Sequence, residues 1–350
     1  MDDTVVLIPA YQPTENLTEL AGSLYAVGFR IVVVDDGSGD EFSHIFEKTE
    51  AYATVIGYEK NRGKGYALKY GMSFISKQMS YFKYLITVDS DGQHSEDAVK
   101  RISDEVHKNG GIIIAQRVEE KSSSPLHARF FGGVLRSLYA LITGRYLHDI
   151  MSGLRAFDFK YVGELQEIEG NCFDFETNVL LHASKHRYPI HTVSIEESEW
   201  QCPKKERSHY GIFRDPWLQV LAVVKTGYPS ILAAFINLIA TTVLTLIFGR
   251  SFAGVAGAVM LGSLFGISAT VIFNNRIGFE ENYDGALSYN RIIMGMLRLF
   301  AYLLMMEILC ALCGLNVLLC VIITATLTSA IELNVMKLGL DKDIRILEKP

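Results

Sequence analysis

Continuous apolar runs alternate with polar turn segments and helical patterns through the first half of the chain. The runs "TVVLIPAY" and "RIVVVDDGSGD" are unbroken in Val, Ile and Leu, as expected of strands that are buried on both faces of a sheet. Between them, "NLTELAGSLYAVG" carries leucines at helical spacing and closes on Gly28. The same shapes recur in "ATVIGYE", "GKGYALKYGMSFI", "YLITVDSDG" and "GGIIIAQR". The pattern predicts an α/β fold with a mostly parallel sheet.

The second half of the chain is predominantly apolar, and this pattern predicts membrane helices. Two of its runs are each long enough to cross a bilayer, which takes about 20 residues. A third run is too long for one span and is interrupted near Gly314 and Asn316. The four predicted helices cover about 230–249, 252–273, 293–313 and 316–334. We therefore predict a water-soluble domain over 1–228 and an all-α transmembrane domain over 229–350.

Charged residues near the predicted spans indicate their orientation. Basic residues precede the first span, occupy the loop between the second and third, and follow the fourth, whereas only Arg250 lies in the opposite loops. We therefore expect both termini and the first half of the chain to be cytoplasmic. Arg298 and Glu307 fall inside the third span, where an ionisable side chain has either a functional role or a structural partner.

Composition narrows the class of protein further. The net charge of −6 provides no basic footprint for nucleic acid, so no nucleic-acid partner is expected. The five cysteines imply no disulfide framework. Cys310 and Cys313 form a C-x-x-C, which in an apolar helix is more typical of small packing residues than of a redox or metal site. The oligomeric state stays open.

Two carboxylates stand one residue apart directly after the run "YLITV". Asp89 and Asp91 of "DSDGQH" lie where a parallel strand is predicted to end, which is where ligands of such sheets bind. Carboxylates at this spacing can face one hard cation, and Gln93 offers a further oxygen. A plain surface turn is the alternative, because Asp, Ser and Gly all favour turns. The strand-end position favours a Mg²⁺ or Mn²⁺ site.

Three further segments carry groups suited to a nucleotide or a phosphate. Asp35 and Asp36 end the second predicted strand, where a carboxylate either caps the next helix or accepts hydrogen bonds from a base or ribose. "NRGKGYAL" places two glycines and Lys64 before a helix, which favours anionic groups. "DIMSGLRAF" holds Asp149 and Arg155, with other arginines on both sides of it. Guanidinium forks suit phosphate, although such arginines also form basic faces attracted to anionic lipid headgroups.

Taken in order, these segments resemble the family-2 glycosyltransferases of GT-A fold, and among them the dolichyl-phosphate mannose synthase-like polyprenyl-phosphate glycosyltransferases. The membrane half resembles the GtrA-like four-helix domain, including "FNNRIGF". The resemblance implies inverting transfer of a sugar, most readily mannose from GDP-mannose, to a dolichyl or other polyprenyl phosphate at the bilayer. The matching segments, across about residues 4–215, are "VVLIPAYQPTENL", "VVVDDGSGD", "NRGKGYAL", "VDSDGQH", "DIMSGLRAF", "FDFETNVLLHA" and "ERSHYGIFRD".

The resemblance also implies roles for individual residues. In place of the serine of the R-x-x-x-S motif of eukaryotic-type members, this chain has Gly133. The implied catalytic residues are Asp91, Asp149 and Arg117. The implied metal ligands, for Mg²⁺ or Mn²⁺, are Asp89, Asp91 and Gln93. The implied nucleotide-binding residues are Pro9, Ala10, Tyr11, Glu15, Asp36, Lys64, Asp89 and Ser90. The implied lipid-phosphate-binding residues are Arg117, Arg129, Arg155 and Arg207.

Other functions stay open from sequence alone. The same motifs suit UDP-glucose or UDP-N-acetylglucosamine as donor and undecaprenyl phosphate as acceptor. A transport or flippase protein that only binds a lipid-linked sugar is the alternative from another class. A processive polysaccharide synthase is disfavoured, because the chain has no Q-x-x-R-W motif ahead of its apolar half.

Overall fold

A computed structural model of the chain describes most of its first 277 residues and a few later stretches. They divide into two compact units, one of Met1–Arg136 with Leu147–Val223 and one of Ser137–Tyr146 with Val224–Pro350. The sequence-based domain boundary between 228 and 229 stays a prediction. The described residues are 3–79, 81–117, 126–143, 145–195, 214–249, 251–277, 302–306, 308–309, 316, 319–321, 323–324 and 327.

A mixed sheet lies at the centre of the first unit. Its strands are β1 (Thr4–Ala10), β2 (Arg30–Asp35), β3 (Thr54–Gly57), β4 (Tyr84–Thr87), β5 (Ile112–Arg117), β6 (Arg155–Asp158) and β7 (Ile190–Ile195). They pair in the order β3-β2-β1-β4-β6-β5-β7. All pairs are parallel except those of β6, which runs antiparallel to both β4 and β5. The predicted α/β class and the mostly parallel sheet are confirmed.

Helices α1 (Asn16–Ala26) and α4 (Glu96–Asn109) pack on one face of this sheet, and α3 (Lys64–Gln78) packs on the other. The other helices up to residue 185 are α2 (Ser43–Thr49), α5 (Leu126–Thr143), α6 (Val162–Leu165) and α7 (Asp174–Lys185). β1 is buried along its whole length. Successive side chains of a strand point to opposite faces, so Val6 and Ile8 pack in the core that contains Leu17 of α1, whereas Leu7 meets Gly71 of α3. This two-sided burial explains why the strand is a continuous apolar run.

The second unit is helical where the structure describes it. Its main elements are α8, which begins in the first unit and spans Arg214–Phe248, and α9 (Phe252–Ile277). In the portion of the chain that is described, no helix combines the length and the apolar character needed to cross a membrane. The four predicted transmembrane helices are therefore not confirmed. Arg298, Glu307, Cys310 and Cys313 lie outside the described residues.

Candidate functional site

Three adjacent parallel strands bring predicted site residues to one edge of the sheet. β2, β1 and β4 are neighbours, and their carboxyl ends lead into Asp36, Tyr11 and Asp89. Pro9 and Ala10 are the last, buried residues of β1. Ligands of open α/β sheets bind at this kind of edge, beyond the carboxyl ends of the strands.

Asp36 is buried and holds the loop that leads into α3. Its carboxylate accepts hydrogen bonds from the hydroxyl of Tyr58 at 2.7 Å and from the main-chain N–H groups of Arg62 at 2.8 Å and Gly63 at 3.0 Å. Burial, together with the bonded carboxylate, raises the pKa of Tyr58 above its ordinary value. In this structure Asp36 therefore positions the loop, and its contact with a base or ribose stays a prediction.

The glycines of "NRGKG" let the start of α3 pack closely against the start of α7. Gly63 has φ +96°, and a Cβ there would lie 2.5 Å from the main-chain oxygen of Asn171. A Cβ at Gly65 would lie 2.5 Å from the Cβ of Phe175. These glycines thus let the chain approach its own residues closely, and this packing places Lys64 beside α7.

Lys64 bridges two carboxylates at the edge of the sheet. Its Nζ lies 2.6 Å from Oδ1 of Asp89 and 3.0 Å from each carboxylate oxygen of Glu176. Burial disfavours the charged ammonium, but the two carboxylates outweigh it and raise the pKa of Lys64. Burial likewise disfavours the charged form of Asp89, but Lys64, His94 and Arg155 outweigh it and lower the pKa of Asp89. Asp89 and Lys64 are therefore both ionised at neutral pH.

Sequence reasoning did not assign a role to Glu176. Its side chain is 5% exposed, and burial raises the pKa of the carboxyl even though Lys64 and Arg155 oppose this effect. It lies in "FDFETNVLLHA", between the buried residues Phe175 and Thr177. A buried glutamate is seldom found without a partner. The position of Glu176 within this segment was therefore the sequence feature that could have indicated a paired carboxylate.

The segment "DIMSGLRAF" packs directly against the carboxylate of Asp89. A Cβ at Gly153 would lie 2.2 Å from Oδ2 of Asp89, so only glycine fits here without a shift of the chain. The main-chain oxygen of Gly153 accepts a hydrogen bond from the hydroxyl of Thr87, at the end of β4. Asp149, buried earlier in the segment, accepts a hydrogen bond from the N–H of Met151 at 3.1 Å.

Arg155 is 1% exposed and holds this segment from within the fold. Its guanidinium donates to the main-chain oxygens of Ser152 at 2.8 Å, Ile150 at 2.7 Å and Glu176 at 2.7 Å. These bonds join the segment before β6 to α7. The arrangement favours a structural role for Arg155, and the predicted contact with a lipid phosphate stays a prediction.

The "DSDGQH" segment is a well-anchored turn between β4 and α4. Oδ1 of Asp91 accepts a hydrogen bond from the N–H of Gln93 at 3.1 Å. Gly92 has φ +74°, the left-handed conformation that glycine adopts without strain. Ser95 then caps α4 by accepting a hydrogen bond from the N–H of Ala98. A turn and a cation site are compatible here, because the anchored turn fixes where its carboxylates stand.

The other predicted site residues are distributed more widely. Ser90 lies partly exposed in the turn after β4. Glu15 precedes α1, where its exposed carboxylate pairs with Lys48 at 2.7 Å. Arg117 ends β5 and Arg129 lies on α5. Arg207 lies outside the described residues. Their assigned contacts with substrate stay predictions.

The donor chemistry of Asp89 and Asp91 suits a hard divalent cation. Among the described residues, no three side chains of His, Cys, Asp or Glu form a group that could hold a metal ion. Mg²⁺ and Mn²⁺ nevertheless need few protein ligands when they keep waters and share a substrate phosphate, and carboxylate oxygens are ligands they prefer. The low pKa of Asp89 keeps it negative for this purpose. The donor chemistry of the two aspartates therefore fits such an ion, and the ion site stays a prediction.

The fold agrees with comparisons to known proteins. Residues 5–165 match the domain described as glycosyl transferase family 2. An uncharacterized protein of Methanocaldococcus jannaschii is 31% identical over 211 residues, which are 56% of this chain and 84% of that protein. The chain belongs to glycosyl transferase family 2, and it is a glycosyltransferase.

The relatives include enzymes whose names specify an activity. The UDP-N-acetylglucosamine–dolichyl-phosphate N-acetylglucosaminyltransferase of Methanococcus voltae is 25% identical over 212 residues, covering 55% of this chain and 84% of that enzyme. The polyprenol monophosphomannose synthase of Mycolicibacterium smegmatis is 22% identical over 207 residues, covering 56% of this chain and 77% of that enzyme.

A solved structure supports the fold. Glucosyl-3-phosphoglycerate synthase from Mycobacterium tuberculosis, in complex with Mn²⁺, UDP-glucose and phosphoglyceric acid, has a TM-score of 0.50 to this chain at 16% identity. The match covers 64% of this chain and 79% of that one. At this identity the likeness shows the fold alone, and it confirms the predicted GT-A fold. The resemblance of the second half to a GtrA-like domain is not confirmed.

Proposed function

We propose that this glycosyltransferase transfers a sugar from a nucleotide sugar to a polyprenyl phosphate, with inversion at the anomeric carbon. The observation that carries the proposal is the charged strand edge of a family 2 domain, where Lys64 and Asp89 meet at 2.6 Å. The names of two relatives, one acting on dolichyl phosphate and one making a polyprenol monophosphate sugar, support this class of acceptor.

The proposed reaction needs no strong general base. A phosphate monoester is already anionic near pH 7, so its oxygen can attack without proton abstraction. Asp89 and Asp91, with Gln93, would hold Mg²⁺ or Mn²⁺, which when bound neutralises charge on the departing nucleoside diphosphate. The ammonium of Lys64 lies beside this position and adds a positive charge.

The acceptor would be placed by the arginines that the family resemblance implies. Guanidinium groups bind phosphate bidentately, so Arg117, Arg129 and Arg207 would align the attacking oxygen with the anomeric carbon. Asp149 would shape the sugar site. A single displacement inverts the anomeric carbon, so an α-linked donor such as GDP-mannose yields a β-linked lipid product.

GDP-mannose is the donor we propose, and UDP-glucose or UDP-N-acetylglucosamine with undecaprenyl phosphate is the alternative. Purified full-length protein with Mn²⁺ and a short dolichyl phosphate is expected to form labelled glycolipid from GDP-mannose about tenfold faster than from either UDP-sugar. A panel of radiolabelled donors measures this, with acceptor-free reactions as controls. Faster transfer from a UDP-sugar would overturn the choice of donor, and no transfer from any donor would overturn the proposed reaction.

We also propose that residues 229–350 form a GtrA-like membrane domain, with the catalytic half and both termini cytoplasmic. Its apolar sequence and the distribution of basic residues support this. We expect the full-length protein to stay in the membrane pellet after an alkaline carbonate wash, and a tag at either terminus to resist added protease until the cytoplasmic face is exposed. Release of the protein by the wash would contradict the proposal.

A further inference from the structure

Four charged side chains meet at the strand edge, two of each sign. Lys64 and Arg155 are positive, and Asp89 and Glu176 are negative. An ammonium has three N–H donors. In Lys64 the three nearest acceptors are Oδ1 of Asp89 and the two oxygens of Glu176, all within 3.0 Å. In this structure, each N–H donor of the Lys64 ammonium therefore has a carboxylate oxygen of the protein within reach.

We propose that Lys64 occupies the carboxylate of Asp89 as a resident cation until a divalent ion displaces it, and that Glu176 then keeps the displaced ammonium beside the site. Glu176 is thus a positioning residue for Lys64. The inference rests on the proposed function, because the divalent ion and the donor diphosphate are those of the sugar transfer.

The two carboxylates differ in a way that sets the direction of this exchange. The side chain of Asp89 is 28% exposed, whereas that of Glu176 is 5% exposed. An ion arriving from solvent therefore reaches Asp89 first. Glu176 is shielded, and both of its carboxylate oxygens lie 3.0 Å from the ammonium of Lys64, so the ammonium is retained on this side. Two cations at one carboxylate oxygen repel each other, so the ion and the ammonium exclude one another there.

The backbone around Asp89 determines which partner must move. Gly153 packs so closely that even a Cβ would overlap Oδ2 of Asp89. The carboxylate therefore has no room to withdraw toward that segment. The side chain of Lys64 has a flexible four-carbon stem and can shift while its ammonium stays on Glu176.

This exchange links the ion to the donor diphosphate. A divalent ion at Asp89 frees one donor of the Lys64 ammonium, and an anionic diphosphate is the ligand that such a donor at a helix N-terminus favours. Coupling of this kind is reciprocal, so a diphosphate that engages Lys64 also makes Asp89 more available to the ion.

Binding of Mn²⁺ alone tests the inference without any turnover. In purified full-length protein, Lys64→Met is expected to bind Mn²⁺ about tenfold more tightly than the wild type, since a competing charged hydrogen bond is removed. Glu176→Gln is expected to bind Mn²⁺ about tenfold more weakly, since the ammonium then has Asp89 as its sole anionic partner here. The electron paramagnetic resonance signal of free Mn²⁺ reports both titrations.

Two further variants serve as controls for this test. Lys69→Met is the matched control, because Lys69 lies on the same helix but bonds oxygens of Asn171 and Ile168. Its Mn²⁺ affinity is expected to equal that of the wild type. The double variant Lys64→Met, Glu176→Gln removes one charge of each sign and so keeps the net charge of the cluster, in case Lys64→Met folds poorly. It is expected to bind Mn²⁺ more tightly than the wild type.

The outcomes separate this inference from the function it rests on. Opposite shifts at the two ends of one ion pair support it, because a residue with only a packing role would not produce them. If Asp89→Asn abolishes Mn²⁺ binding but neither lysine variant binds more tightly than the wild type, the resident-cation role is overturned and the ion site stands. If Asp89→Asn binds Mn²⁺ as the wild type does, or if the wild type binds none, both the exchange and the proposed ion site are overturned.

Discussion

Asparagine at Asp89 or at Asp91 is expected to lower the rate of sugar transfer by a factor on the order of 100 to 1,000. The substitution keeps the shape of the side chain and removes its charge. In the turn, an asparagine oxygen at position 91 can still accept the hydrogen bond from the N–H of Gln93. At position 91 the loss of activity should therefore arise from the missing ion ligand and not from unfolding. Radiolabelled glycolipid formation and the melting temperature of each variant measure the two effects separately.

Asp158→Asn is the matched control for this pair. Asp158 also stands at a strand end, but it pairs with Tyr84 at the start of β4, away from the edge where Asp89 follows that strand. Its carboxylate bonds the N–H of Lys160 and pairs with the ammonium of the same residue. Its replacement is expected to keep the wild-type rate of transfer. Asp89→Asn and Asp91→Asn variants that work within a few-fold of the wild type would show that these residues serve only the turn.

The strands and helices that were predicted correctly have strong local patterns. β1, β2 and β5 are continuous apolar runs, and α1 has its leucines at helical spacing. β6 lacks such a run, since it consists of four residues that begin with Arg155 and end with Asp158. It becomes a strand by pairing with β4 and β5 on its two sides, which no local pattern reveals.

α8 extends beyond the apolar run that marks the first predicted transmembrane span. That run starts near residue 230, whereas α8 begins at Arg214. Hydropathy reports where a helix becomes apolar, while helical hydrogen bonding continues through polar residues. Pro216 in the first turn does not interrupt it, because an N–H there would have no partner within the helix.

The sequence predicted which site residues lie at the carboxyl ends of strands, but it did not predict which side chains pair there. The positions of Asp36 and Asp89 at one edge follow from adjacent parallel strands. The pairing of Lys64 with Glu176 does not follow from strand ends. Glu176 is 112 residues away in sequence, and it reaches the lysine through the packing of α7 on α3. Arg155 likewise appeared among arginines suited to phosphate, and only the fold shows its guanidinium on three main-chain oxygens.

Replacement of Arg155 by methionine is expected to lower the free energy of unfolding by about 3–5 kcal/mol, the range found when one partner of a buried charged network is removed. The main-chain oxygens of Ser152, Ile150 and Glu176 would lose their charged donors inside the fold. Asp89 and Glu176 would also lose a nearby positive charge. Chemical unfolding followed by circular dichroism measures the change. Arg155→Lys keeps the charge but not the planar guanidinium, so its free energy of unfolding is expected to lie between those of the wild type and Arg155→Met.

The same variant distinguishes the structural role of Arg155 from the contact with a lipid phosphate that its sequence motif implies. A structural role predicts lower stability for Arg155→Met, and an activity loss that is partly recovered at low temperature, where more of the protein is folded. A direct contact with the acceptor predicts wild-type stability together with a raised KM for polyprenyl phosphate. Because the side chain is 1% exposed, we expect the first result. A variant as stable as the wild type whose KM for the acceptor alone has risen would show instead that the guanidinium reaches the substrate.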